Sequence, residues 1–324
     1  MDDYLVRMPR DSETYSGSAV LRFHDPRSER LRPMRVFAYF PEAVRTGKQT
    51  SVLFVMHGVH RNAEEMFQQI VPPDKSCSRD PLVNKRLLPE LHNFVLLLPE
   101  FSAALFPERN AYNFGNVFRN AGDLPDTKSP HSEAEWSFTA IERIYEAVKV
   151  AAALNTEGYV LWGHSAGAQF VHRLIAVKSN DREMLSGTRH LLRAVAANAG
   201  SYTMPSFQEE YPFGFGGLSS IGITSIASFL HAPLLVLLGL ADTDPFHKTI
   251  PTDRQAQQQG INRLQRGLSF YSSGLEYARE HRTFFDWQLA LVPGVAHNGI
   301  LMLEHYLKHY WVDTYQPRMH VVTK

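Results

Sequence analysis

Short apolar runs rich in β-branched residues recur along the chain, separated by longer stretches of helical period. That alternation predicts βα units, and hence a mostly parallel sheet with helices on its faces, the α/β class. Strands are expected at Ala19 to Phe23, Met34 to Phe40, Ser51 to Met56, Phe94 to Leu98, Tyr159 to Trp162, Ala194 to Asn198, Leu234 to Leu238 and Trp287 to Val292. Those in the middle of the chain are continuously apolar, as strands covered on both faces should be.

Helical spacing is clearest from about Glu135 to Leu154, where Trp136, Ile141, Ile144, Tyr145, Val148, Ala151 and Ala152 fall on one stripe. A second helix is expected after Asn62, read as its N-cap, with Glu64 and Glu65 in the first turn where the helix dipole favours negative charge. A third should start at Ser165, and the last should span about Gly299 to Trp311. Three segments do not fit a minimal sheet-and-helix core: Phe101 to Glu133, Ser201 to Leu230, and Phe246 to Arg282. The last carries a polar run, Asp253 to Gly260, before a helix near Leu275 to Glu280. Each follows the C-terminal end of a predicted strand, the edge where open α/β sheets bind ligands, and is read as a lid or pocket segment. With no internal repeat and no clean linker, residues 1–324 are read as a single domain.

Composition narrows the function classes. Hydrophobic residues make up 44% and charged residues 20%, the balance of a soluble globular protein, with no membrane span expected. The 33 basic and 33 acidic side chains cancel, which argues against nucleic acid or another polyanion as a partner. Met1-Asp2-Asp3-Tyr4-Leu5-Val6-Arg7 lacks the basic start and apolar stretch of a secretory signal, and the chain has 1 cysteine, so a cytoplasmic location is expected. That residue, Cys77, lies in a polar stretch and is read as an incidental thiol in a loop.

The candidate chemistry begins with Gly163-His164-Ser165-Ala166-Gly167, which matches G-x-S-x-G. A buried strand pattern, Tyr159-Val160-Leu161-Trp162, precedes it and a helical pattern from Ala168 to Ile175 follows, the strand–turn–helix setting that the motif requires. Side chains in place of the glycines would collide with neighbouring backbone, and the turn pushes Ser165 into the open. The following helix aims its positive end and the N–H of Ala166 at the point where a carbonyl oxygen would gain charge.

A serine hydroxyl needs a base to attack, and the base needs an orienting acid; in this architecture both follow the serine in the chain. Asp242, at the end of the strand pattern Leu234 to Leu238, is the first choice as acid, with Asp244 of Asp244-Pro245 as the alternative. His297, after a predicted strand and before the last helix, is the best-placed base; His247, His281, His305, His309 and His320 compete. His305 and His309 stand one helical turn apart, but no carboxylate completes a metal site. The loop His57-Gly58-Val59-His60-Arg61 should supply the second oxyanion donor through the N–H of Val59. In that loop His57 is read as a brace and Arg61 as a structural hydrogen-bonder, with a grip on a substrate carboxylate as its alternative role. Tyr112, Phe114, Trp136, Tyr202 and Phe213 are candidates for an acyl or alcohol pocket.

Taken together, His57-Gly58, Gly163-His164-Ser165-Ala166-Gly167, Gly239-Leu240-Ala241-Asp242 and Gly294-Val295-Ala296-His297 resemble the α/β-hydrolase superfamily, in its esterase and polyhydroxyalkanoate-depolymerase-like branch. The resemblance runs from about Ser51 to Trp311. It implies a triad of Ser165, Asp242 and His297, no cofactor, and a small-molecule ester substrate cleaved through an acyl-enzyme. Amide or peptide cleavage, lactone opening and acyl transfer would use the same groups, and a ligand-binding homologue would keep the fold without the chemistry.

Overall fold

The computed structural model describes residues 17–28, 33–72, 87–178 and 190–311. The acidic start of the chain, Cys77 and His320 lie outside them.

Eight strands form the main sheet: β1 (Gly17–Phe23), β2 (Met34–Phe40), β3 (Ser51–Met56), β4 (Phe94–Pro99), β7 (Tyr159–His164), β8 (Leu191–Ala197), β9 (Leu234–Gly239) and β10 (Gln288–Val292), in the order β1-β2-β4-β3-β7-β8-β9-β10. All pairs from β4 to β10 are parallel, while β1 and β2 add at one edge in antiparallel fashion. Burial follows position. Every residue of β4, β7 and β9 is buried, whereas the edge strand β1 exposes alternate residues.

Two apolar layers flank the sheet because successive strand residues point to opposite faces. Phe54, Leu97, Leu161, Val236 and Leu238 face the helices Ser137–Ala151, Ala166–Lys178 and Arg263–Glu280, which contribute Ile141, Phe170, Leu174 and Phe270. Leu53, Leu96, Trp162, Val195 and Leu237 face the helices Ala63–Ile70 and Gly299–His309 through Phe67, Ile70, Met302 and Tyr306.

All eight expected strands are present, with ends displaced by three residues at most. Asn62 does occupy the N-cap position of Ala63–Ile70, but its side chain does not cap; its amide donates to Glu65 instead. Within the segment 101–133 the pattern concealed a hairpin of β5 (Phe118–Ala121) and β6 (Leu124–Pro130), most of whose residues are exposed or half-buried and so carry no period-2 apolar signal. In the segment 246–282 the helix Arg263–Glu280 is much longer than the stretch near Leu275 that periodicity gave. Its buried stripe is Arg263, Arg266, Gly267, Phe270, Gly274 and Ala278, and small and basic residues hide such a stripe. A Cβ on Gly267 would stand 2.3 Å from Leu238 Cδ2, so this helix lies tight against β9.

Candidate active site

The parallel strands end on one edge, and the residues singled out in the sequence collect there: the His57 loop after β3, Ser165 after β7, Asp242 after β9 and His297 after β10. Sheet order makes neighbours of groups that are far apart in the chain.

Ser165 sits between β7 and the helix Ala166–Lys178 with φ +59°, a left-handed conformation that is costly for a residue with a Cβ. Its own N–H donates to Ala197 O at 3.0 Å, and its carbonyl accepts from Gln169 N at 3.1 Å, so both neighbouring elements hold the turn. The flanking glycines serve close approach. A Cβ on Gly163 would meet the Gly167 carbonyl at 2.3 Å, and one on Gly167 would meet Met56 O at 2.2 Å. The helix therefore starts against both β7 and the end of β3, and its first N–H groups, that of Ala166 among them, have no intrahelical acceptor.

His297 joins the remaining two residues. Its Nδ1 lies 2.7 Å from Asp242 Oδ2, and its Nε2 lies 3.0 Å from Ser165 Oγ. Asp242 is 2% exposed, so its carboxylate is directed inward. Asp244, the alternative acid, is exposed and accepts from Phe246 N at 2.9 Å, a local turn bond. Among the described competing histidines, only His247 packs on His297, with ring centroids 4.9 Å apart; His164 also packs on it, at 4.4 Å. His305 and His309 pack on each other at a tilt in the helix Gly299–His309.

The loops bearing Asp242 and His297 are tied to one another. Leu240 N donates to Val292 O and Ala241 N to Val295 O, both at 3.0 Å. Buried Asn198, at the end of β8 with φ +48°, accepts from Gly239 N at 2.8 Å and donates to Ala296 O at 3.4 Å. One side chain thus holds both loops. Nothing in the sequence around Asn198 marked it, since its partners lie 41 and 98 residues away.

The loop after β3, expected to supply an oxyanion donor, is braced by His57 and Arg61. His57 Nε2 accepts from Phe101 N at 3.1 Å while Nδ1 faces Gly58 O at 3.2 Å, and burial pushes the imidazole down to about 3, so it stays neutral. Arg61 donates to the carbonyls of Phe101, Phe106 and Glu108, fastening the segment 101–108 to the loop. Val59, whose N–H is the expected second donor, follows Gly58 in the turn closed by Arg61 N to Gly58 O at 3.2 Å.

The five aromatic pocket candidates are engaged in packing. Tyr112 stacks on His57 and donates its hydroxyl to His57 O at 2.6 Å; Phe114 lies under the Arg173 guanidinium; Trp136 donates to His131 O; Tyr202 stacks on Phe270; Phe213 is 2% exposed. Large rings in irregular segments found partners within the protein. Among the described residues, the large apolar side chains left exposed on the loops that follow β3 and β9 are Val59, Leu240 and Phe246, 45%, 41% and 90% exposed.

Arg263 was not anticipated. It is fully buried, and its Nη1 stands 3.7 Å from Asp242 Oδ1. Its signal in the sequence was slight: a basic residue directly after Asn262, whose side chain caps the helix by accepting from Gln265 N.

No protein-family model matches the sequence, and no curated protein matches it either. Solved structures do. Poly(aspartic acid) hydrolase-1 from Sphingomonas sp. KT-1 is 31% identical with a TM-score of 0.76, over 91% of this chain and 99% of that one. LpqC, a poly(3-hydroxybutyrate) depolymerase from Bordetella parapertussis, is 27% identical with a TM-score of 0.74, over 94% and 92% of the two chains. An IroE-like serine hydrolase from Shewanella oneidensis, 10% identical with a TM-score of 0.51 over 91% and 80%, shares the fold.

Proposed function

The chain belongs to the serine hydrolases of the α/β-hydrolase type, and on that footing we propose that Ser165, His297 and Asp242 form its catalytic triad and act on a small to medium carboxylic ester. The observation that carries this reading is the pair of contacts on one imidazole, 2.7 Å to Asp242 and 3.0 Å to Ser165. A serine hydroxyl attacks only when a base can take its proton in the same step, and a neutral imidazole fixed at hydrogen-bond distance is that base.

Ser165 Oγ attacks the ester carbonyl as its proton moves to His297 Nε2; Asp242 accepts from Nδ1–H and stabilises the imidazolium. The tetrahedral oxyanion is met by the N–H groups of Val59 and Ala166, one from a turn and one from a helix start. Collapse expels the alcohol, which takes the proton from His297, and leaves an acyl-Ser165. Water, deprotonated by the same imidazole, then releases the acid and restores the serine.

Val59, Leu240 and Phe246 support an apolar ester, since they expose hydrophobic surface on the loops that carry the proposed oxyanion donor and Asp242. A second reading, amide cleavage by the same groups, is favoured by the Sphingomonas relative, because poly(aspartic acid) is a polyamide. A panel of p-nitrophenyl esters, aminoacyl anilides and lactones separates the two. Highest kcat/KM on short to medium acyl esters is expected; faster turnover of the anilides would replace ester by amide hydrolysis. The described residues include no helix long and apolar enough to cross a membrane.

A further inference from the structure

The Arg263 guanidinium is unusual for a group buried so completely. Its Nη2 donates to Thr249 Oγ1 at 3.0 Å and faces His247 Nδ1 at 3.4 Å, while Nε and Nη1 make no hydrogen bond among the described residues. Burying a cation with unused donors is expensive unless an opposite charge lies close. The charge that lies close is Asp242, 3.7 Å from Nη1. The helix that Arg263 opens is anchored to the same residue, because Leu264 N donates to Asp242 O at 3.3 Å.

Asp242 therefore has its two oxygens assigned. Oδ2 faces His297, and Oδ1 faces Arg263. From this arrangement we infer that Arg263 is a positioning residue for the hydrolysis, which fixes the orientation of Asp242 and offsets part of the charge that the carboxylate presents to His297. A carboxylate alone would favour imidazolium; a cation on its far side weakens that pull. The inference rests on the proposed triad.

Other charged or titratable groups face the same imidazole. His247 and His164 flank it, Ser165 meets Nε2, and Asp244 lies beyond Arg263 and His247. Burial, followed by the nearby cations and imidazoles, holds both flanking histidines below their ordinary value, so neither supplies a competing positive charge at neutral pH. Tyr202 is the remaining titratable neighbour of Asp242, and burial keeps its phenol protonated.

The test compares wild type, Arg263→Gln and Arg263→Lys in the pH dependence of kcat/KM between about pH 5.5 and about pH 9, with p-nitrophenyl butyrate as substrate. For Arg263→Gln the acid limb should move up by about one pH unit and the plateau kcat should fall about tenfold; Arg263→Lys, which keeps the charge, should leave the limb close to wild type. An unmoved limb in Arg263→Gln, or an equal shift in Arg263→Lys, would overturn the inference. If Arg263→Gln does not fold, melting temperatures decide: Arg263→Gln added to Asp242→Asn should recover stability, because it removes a stranded buried cation, and a further loss would count against the pairing. Fluorophosphonate labelling of wild type at Ser165 runs alongside. Labelled wild type with an unmoved limb sinks only the Arg263 inference, whereas unlabelled wild type sinks the triad on which it rests.

Discussion

The two halves of the site are held by different means. On the side of the proposed nucleophile, a contiguous piece of chain does the work: β7, the left-handed Ser165 and the helix Ala166–Lys178 are locked by backbone contacts that only glycine permits at 163 and 167. On the opposite side, Asp242 and His297 stand on loops joined by side chains from elsewhere, Asn198 from β8 and Arg263 from the segment 246–282. The first half is steric and local; the second is electrostatic and assembled over long range. A steric device fails by unfolding or distortion, whereas an electrostatic one fails by losing rate or changing its pH dependence while the fold persists.

That contrast can be broken most severely at the acid. Asp242→Asn should lower kcat/KM about 10⁴-fold with the fold retained, since an amide leaves the imidazole in the wrong tautomer. Asp244→Asn, which touches only its own turn, should change it less than about threefold. Steady-state kinetics with circular dichroism as the folding check measures both, and equal losses would undo the assignment of the acid.

On the steric side, Gly163→Ala should destabilise the protein by about 3 kcal/mol, because the new methyl has backbone 2.3 Å away and no flexible neighbour to displace. A urea denaturation midpoint close to wild type would mean that the elbow has slack, and the division between the halves would blur.

A smaller, graded effect is expected from acid. His57 follows β3, His164 ends β7 and His172 lies in the helix after Ser165, and all three are buried; burial takes His57 down to about 3 and the other two well below the ordinary histidine value. The unfolded chain takes up protons at these histidines as pH falls through about 6.5, and the folded chain does not, so stability is full above that value and declines below it. Each contributes up to about 1.4 kcal/mol per pH unit, for His57 continuing towards its folded value. Urea midpoints at about pH 7.5 and about pH 5 measure the loss; a flat profile would show that these imidazoles are not kept neutral by the fold.

The same division explains what could be read in the sequence. The elbow was legible because its causes are contiguous: an apolar strand, two glycines around a serine, a helix. Strand-end motifs also carried Asp242 and His297, since a buried strand followed by Gly-x-x-Asp or by a His before an N-cap is a local pattern. Asn198 and Arg263 were not legible, because their partners are brought to them only by the strand order β7-β8-β9-β10. The orientation of the aromatic pocket candidates was not legible for a related reason. Ring content in a loop says nothing about which way the ring turns, and Tyr112, Phe114 and Tyr202 turn inward onto His57, Arg173 and Phe270. The hairpin Phe118–Pro130 escaped because exposed strands lack an apolar period.

The central claim is that Ser165, activated by His297, is the nucleophile. Labelling with a fluorophosphonate probe tests it most directly, with wild type and Ser165→Ala compared at equal concentration and peptide mapping of the adduct. Stoichiometric labelling of wild type on the peptide containing Ser165, with none in Ser165→Ala, is the predicted result. An unlabelled wild type, or equal labelling of the two proteins, would contradict it.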